Sequence, residues 1–144
     1  MELLNVARMP PVTAKPDATV FSAVTLMAEN KVGAIVVVDS DCQVVGIFTE
    51  RDNLLRVTLL KCDPETTPLR DVMTSPVDTA FPEITPSEAL ARMLGSHHRH
   101  LPVVNRDGRV IGMVSVRQLL MNRVSEQHSN IDILAAYIEA GGPG

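Results

Sequence analysis

The chain predicts an α/β (α+β) fold of two similar lobes, each running β-α-β-β-α. Three observations predict it. First, residues 19–55 repeat at 85–121 with a shift of 66 and no gap; 10 of the 37 positions are identical, among them Thr19/Thr85, Met27/Met93, Gly46/Gly112 and Arg51/Arg117. Chance would give about two. Second, Ala34-Ile35-Val36-Val37-Val38 is an unbroken, largely β-branched run, as expected of a buried strand. Third, Thr85-Pro86-Ser87-Glu88 starts a helix: Thr caps, Pro takes the first helical position, and Glu stands three residues after the cap. A unit repeated at this length rarely buries its apolar face alone, so the two copies are expected to pack together. Ligands favour the groove between such halves.

The elements follow in order. Val12-Thr13-Ala14 is a short strand ended by Lys15-Pro16-Asp17. A helix over 20–30 has Thr19 as N-cap and Val20, Val24 and Met27 at helical spacing. The strand at 34–38 turns at Asp39-Ser40-Asp41 and returns over 43–48 as a hairpin. A second helix spans 50–60. In the second copy, Val77-Asp78-Thr79 is the short strand, and Leu90, Met93 and Leu94 face the core from the helix after Thr85. The hairpin 100–104 and 109–114 turns across Asn105-Arg106-Asp107-Gly108, and a helix begins near Val116. Domain one thus spans 3–61 and domain two 69–125. The linker, 62–68, holds Pro64 and Pro68. A last amphipathic helix is expected over 129–140, with Ile131, Leu134, Ala135 and Ile138 on one face and Gly141-Gly142 after it.

Bulk properties exclude several classes. Hydrophobic residues are 45% and aromatics 3%, with no Trp, so the core is aliphatic. The net charge is −4 and no basic stripe interleaves with aromatics, which argues against nucleic acid. No apolar run approaches the ~18 residues of a membrane span, and the first residues lack a signal-peptide layout. Cys42 and Cys62 read as bystander thiols in a reducing, cytoplasmic setting. There is no P-loop, GxSxG, HExxH or CxxC, so no enzyme is expected.

The sharpest motif is Gly46-x-x-Thr49-x-x-Asp52. Gly46 permits close approach to the last strand. Thr49 stands where strand becomes helix, a place that favours phosphate oxygens. A carboxylate one turn on, at Asp52, can accept from two ribose hydroxyls. The same spacing is also a capping box, with Thr49 bonding the third N–H and Asp52 reaching back. The two readings are compatible, since a cap can open when a ligand arrives. The second copy has Ser115-x-x-Gln118, a good cap but a poorer ribose clamp, because a neutral amide bonds more weakly.

His97-His98-Arg99-His100 precedes Leu101-Pro102-Val103-Val104. Arg99 could clamp phosphate, and His100 would add charge as pH falls. The first copy has Gly33-Ala34 there. A metal is the weakest reading, as no Cys or close acid completes a set. A solvated basic corner is the plain alternative. His128 is expected to be exposed.

The repeat resembles the cystathionine-β-synthase (CBS) domain, and the pair resembles a Bateman module. Asp71-Val72-Met73, Pro102-Val103-Val104, Gly46 through Asp52 and Gly112-Met113-Val114-Ser115 carry the resemblance, over roughly 3–125. It is similar to free-standing prokaryotic CBS-pair proteins. The resemblance implies lobes about a pseudo-twofold axis, two adenosyl-ligand sites and disc-like homodimers. It implies phosphate at Thr49 and ribose at Asp52. It places basic contacts at Arg99 and His100, beside Pro102, with a second site at Ser115. An adenine pocket would begin near Lys15 and Asp78, with Val12, Thr13, Val37 and Val103 as apolar contacts. The expected role is regulatory: binding AMP, ADP or ATP, with no cofactor required, and passing the signal to an effector protein. The alternatives are a ligand-free dimerisation or interaction module, or a pair binding S-adenosylmethionine or NAD(H).

Overall fold

A computed structural model describes residues 2–126; the expected helix over 129–140 and His128 lie outside the described residues. The elements are β1 (Thr13–Ala14), α1 (Val20–Asn30), β2 (Ala34–Val38), β3 (Val44–Thr49), α2 (Glu50–Asp52), α3 (Pro86–Ser96), β4 (His100–Val104), β5 (Val110–Ser115) and α4 (Val116–Glu126). This is the mixed fold of two repeated lobes that the sequence predicts.

The chain forms two compact units, and each takes a piece from the other repeat. One unit holds Pro10–Asp78 with Arg106–Val110; the other holds the stretch up to Met9, Thr79–Asn105 and the chain from Ile111. Repeat boundaries at 3–61 and 69–125 therefore differ from packing boundaries. The reason lies in two leucines. Leu69 opens the second repeat, yet it is fully buried among Val20, Ala23, Ile35 and Phe48 of the first. Leu3 opens the first repeat, yet it is fully buried among Ala89, Met93, Leu101 and Val114 of the second. Each burial stabilises its unit by about 2 kcal/mol.

In the unit built around the first repeat, β1 runs parallel to β2, with Thr13 opposite Val36. Antiparallel β3 pairs Val37 with Gly46 and Ala34 with Thr49, with a bulge between Val37 and Val38. All five β2 residues are buried, as a strand covered on both faces should be. Beyond β3, Thr74 exchanges backbone hydrogen bonds with Ile47: Thr74 N–H to Ile47 O at 2.8 Å and Ile47 N–H to Thr74 O at 3.0 Å. The same exchange recurs 66 residues away in the other unit, between Arg8 and Met113.

The helix after β3 departs from expectation. Past Asp52 it widens into a π-helix over Asn53–Thr58, and Leu59 N–H donates to Leu54 O, five residues back. Its counterpart α4 is regular. The expected strand at Val77-Asp78-Thr79 is reduced to one bridge, Ala80 to Val103. In the first repeat Val36 N–H donates to Val12 O. The equivalent residue is Pro102, which has no N–H to give Asp78. On α3, Ala89, Leu90 and Met93 are buried, whereas Leu94 is 53% exposed rather than facing the core. Leu94 lies one residue past Met93, about 100° around the helix.

Candidate functional site

The strand-to-helix junction of the first repeat is built from Thr49, at the end of β3, and Asp52. Thr49 is extended and caps α2: its Oγ1 accepts from Asp52 N–H at 3.1 Å, while Asp52 Oδ2 accepts from Thr49 N–H at 3.1 Å. The capping box is complete. Asp52 does more than cap. It is 7% exposed, and among the described residues no other charged or polar residue is as buried. Its second oxygen, Oδ1, accepts from Thr74 Oγ1 at 2.9 Å and lies 3.7 Å from Arg56 Nε. Arg56 also donates through Nη1 to Met73 O at 2.8 Å. A carboxylate buried this deeply is tolerable because each oxygen accepts a hydrogen bond and Arg56 stands near as counter-charge.

Gly46 sits beside this cluster. A Cβ there would run into Met73 Sδ and stand 2.9 Å from Cγ, so the close approach expected at Gly46 is to the Met73 side chain. Lys15 Nζ donates to Asp39 O at 2.8 Å, which ties the end of β1 to the end of β2. Val12 and Thr13 form the edge of the same sheet, Val12 through its carbonyl to Val36 N–H. Asp78 is exposed and is the last residue of the segment Pro10–Asp78 of this unit. Thus Val12, Thr13, Lys15, Gly46, Thr49, Asp52 and Asp78 belong to one packing unit, whereas Arg99, His100, Pro102 and Ser115 belong to the other.

In that other unit, Ser115 repeats the junction in neutral form. Its N–H donates to Gln118 Oε1 at 3.0 Å, and Gln118 N–H donates back to Ser115 Oγ at 3.1 Å. The backbone places Arg99 beside this cap: Arg99 O accepts from Val116 N–H, as Gly33 O accepts from Glu50 N–H in the first repeat. Arg99, His97 and His98 are exposed, with His97 left-handed at the end of α3 and His98 Nδ1 3.2 Å from Ser96 Oγ. Among the described residues no three His, Cys, Asp or Glu side chains gather as metal ligands. Pro102 is buried in β4, its carbonyl accepting from Ala80 N–H.

The charge expected at His100 as pH falls comes only at acid pH. The side chain lies partly buried at the start of β4, and burial, with the positive charge of Arg99 next to it, lowers its pKa from 6.5 to about 4. His100 is therefore neutral at pH 7.

Sequence reading missed Thr74 and Arg56. Arg56 was accessible as the i+4 partner of Asp52. Thr74 was not, because it reaches Asp52 across 22 residues through the Ile47 bridge.

These two repeats and their twin junctions define a tandem repeat module. The family model for the CBS domain matches residues 5–52 and 69–125, and the chain belongs to that family as a CBS pair. It is 36% identical over 129 residues to CBS domain-containing protein CBSX3, mitochondrial, of Arabidopsis thaliana, across 87% of this chain and 62% of that one. The chain spans about three fifths of the length of the first curated relatives it matches. A putative signal-transduction protein with CBS domains from Burkholderia ambifaria superposes with a TM-score of 0.81, 31% identity, and coverage of 88% and 96%. The CBS pair of protein MJ0100, in complex with 5-methylthioadenosine and S-adenosyl-L-methionine, has a TM-score of 0.80 at 20% identity, covering 88% and 98%. That likeness is one of fold. Among the described residues, no helix is long and apolar enough to cross a membrane.

Proposed function

We propose that the module binds an adenosine nucleotide (AMP, ADP or ATP) at the junction of β3 and α2, and relays the occupancy to an effector protein. Thr49 takes phosphate and Asp52 takes the ribose hydroxyls. The observation that carries the reading is the pairing there of a hydroxyl and a carboxylate, each 3.1 Å from the other's backbone N–H, at a helix start. The adenosyl ligands of the MJ0100 pair support the ligand class. The equivalent Ser115/Gln118 pair lacks the carboxylate, so the second site is weaker. Arg99 stands exposed beside Ser115 and supplies the cation for that phosphate. The reading includes a homodimer and no catalytic step. Leu54, Leu59 and Leu60, each more than 60% exposed, support contact with another chain.

Titration calorimetry with AMP, ADP, ATP, NADH and S-adenosylmethionine tests this on wild type and Asp52→Asn. Asn keeps one acceptor oxygen and so spares the cap. We expect an adenosine nucleotide to bind below millimolar and Asp52→Asn to lose at least tenfold, the loss of one charge-assisted bond at about 1.4 kcal/mol. Unchanged affinity in the variant removes Asp52 from the site. A second reading, a ligand-free interaction module, is favoured by one observation: the capping box is closed and Thr74 and Arg56 occupy Oδ1. In that case Asp52→Asn lowers only the melting temperature, and none of the five compounds binds.

A further inference from the structure

We infer that Thr74 is an internal competitor for the ribose-binding carboxylate, so that ligand entry must open a latch between Asp52 and the 73–74 segment. The inference rests on the nucleotide reading of Thr49 and Asp52. Its basis is the arrangement around Asp52. Thr74 Oγ1 donates to Oδ1 at 2.9 Å, and a ribose hydroxyl would offer the same chemistry to the same oxygen. Oδ2 is held by Thr49 N–H, and Arg56 adds its charge 3.7 Å from Oδ1. Each carboxylate oxygen offers two acceptor directions, and Thr74 fills one of those on Oδ1 of a side chain only 7% exposed, so its release frees an acceptor for a ribose hydroxyl.

The latch does not end at Asp52. Thr74 is bridged through its backbone to Ile47 on β3, and Arg56 grips Met73 O. Residues 73 and 74 open the second repeat in sequence but pack with the first. A ligand that displaces the Thr74 hydroxyl therefore loosens one of the contacts holding this exchanged segment. That gives occupancy a route to the backbone, limited in size by the ligand's differential affinity for the open and closed latch. The other unit has Arg8 at the position of Thr74 and Gln118 at that of Asp52, so this hydroxyl-to-carboxylate contact is particular to the unit built around the first repeat.

The test is the affinity of AMP and of 2′,3′-dideoxy-AMP for wild type, Thr74→Val, Thr74→Ala and Thr74→Ser, with thermal melting of each unliganded protein as a check on folding. Valine keeps the shape and removes the donor. We expect Thr74→Val to bind AMP about tenfold more tightly, the scale of one hydrogen bond to a charged group. Thr74→Ser restores the donor and returns the affinity to that of wild type. Dideoxy-AMP has no hydroxyl to compete for Asp52, so its affinity should not respond to position 74. A residue that merely supports the fold would move both ligands alike. Should Thr74→Val fail to fold, Thr74→Ala gives the same comparison. AMP binding that is equal or weaker in the folded variants overturns the latch and leaves the nucleotide reading standing. No binding of AMP, ADP or ATP to any of the proteins overturns both.

Discussion

At His100 a single side chain makes the stability of its unit depend on pH. Burial and Arg99 hold its pKa at about 4, against 6.5 for a free imidazole. The unfolded chain therefore takes up the proton first as pH falls. The contribution of His100 is intact above pH 6.5 and is lost progressively toward pH 4, by up to about 3 kcal/mol. Urea unfolding of wild type and His100→Gln at pH 7 and pH 4.5 checks this: the wild type should lose more stability across that interval than the variant. The effect was not legible in the sequence, where a histidine beside Arg99 reads as a polar corner. Strand placement decides it: β4 begins at His100, and the next four residues are buried. The counterpart at Asp52 was half legible. Spacing within one turn disclosed the Thr49 cap, but the burial of the carboxylate depends on a partner that only tertiary pairing brings near.

Among the elements, the capping boxes at Thr85 and Thr49 test how much of a helix start is local. At Thr85, Oγ1 accepts from Glu88 N–H at 3.1 Å, and the returning bond from Thr85 N–H to Glu88 is long, 3.4 Å, in an exposed setting. At Thr49 the same box is shorter on its return, 3.1 Å, and encloses a buried carboxylate. Thr85→Ala should cost about 1 kcal/mol, the usual worth of an N-cap. Thr49→Ala should cost about 2 kcal/mol, because it leaves a buried N–H without a partner. Paired denaturation curves give both values, and equal losses would mean that the Asp52 cluster adds nothing to the cap. Both helix starts were legible, since capping chemistry lies within four residues. So were α1, β2 and the hairpin turns, where apolar period and turn residues agree. The π-helical stretch Asn53–Thr58 carries no such local sign. Its leucines are not packed as a core-facing stripe: Leu54 and Leu55 are exposed while Val57 is buried. The lost strand at 77–79 has a local cause after all, Pro102, but its consequence appears only once the partner strand is known.

For the molecule as a whole, the exchange of leading segments makes each repeat incomplete when separated from the other. A fragment of residues 1–61 lacks Leu69 and Val72, both buried in its core, and lacks Thr74, which hydrogen-bonds Ile47 at the sheet edge. A fragment of residues 62–144 lacks Leu3, fully buried in its core, and Arg8, which pairs with Met113. Each loses apolar burial of about 2 kcal/mol per leucine together with two backbone hydrogen bonds, against a total stability that for small domains is only about 5–15 kcal/mol. Separately expressed fragments should therefore show no cooperative thermal transition, whereas the two mixed or co-expressed should regain one, because each carries the segment the other needs. Leu3→Ala placed in the 1–61 fragment should weaken the reconstituted pair by about 2–5 kcal/mol, through a cavity in the unit formed mainly by the other fragment. That transfer of damage from one fragment to its complement is what separates segment exchange from simple contact between two self-sufficient repeats. A 62–144 fragment that melts cooperatively on its own at the wild-type temperature would show that Leu3 and Arg8 are dispensable to the second repeat.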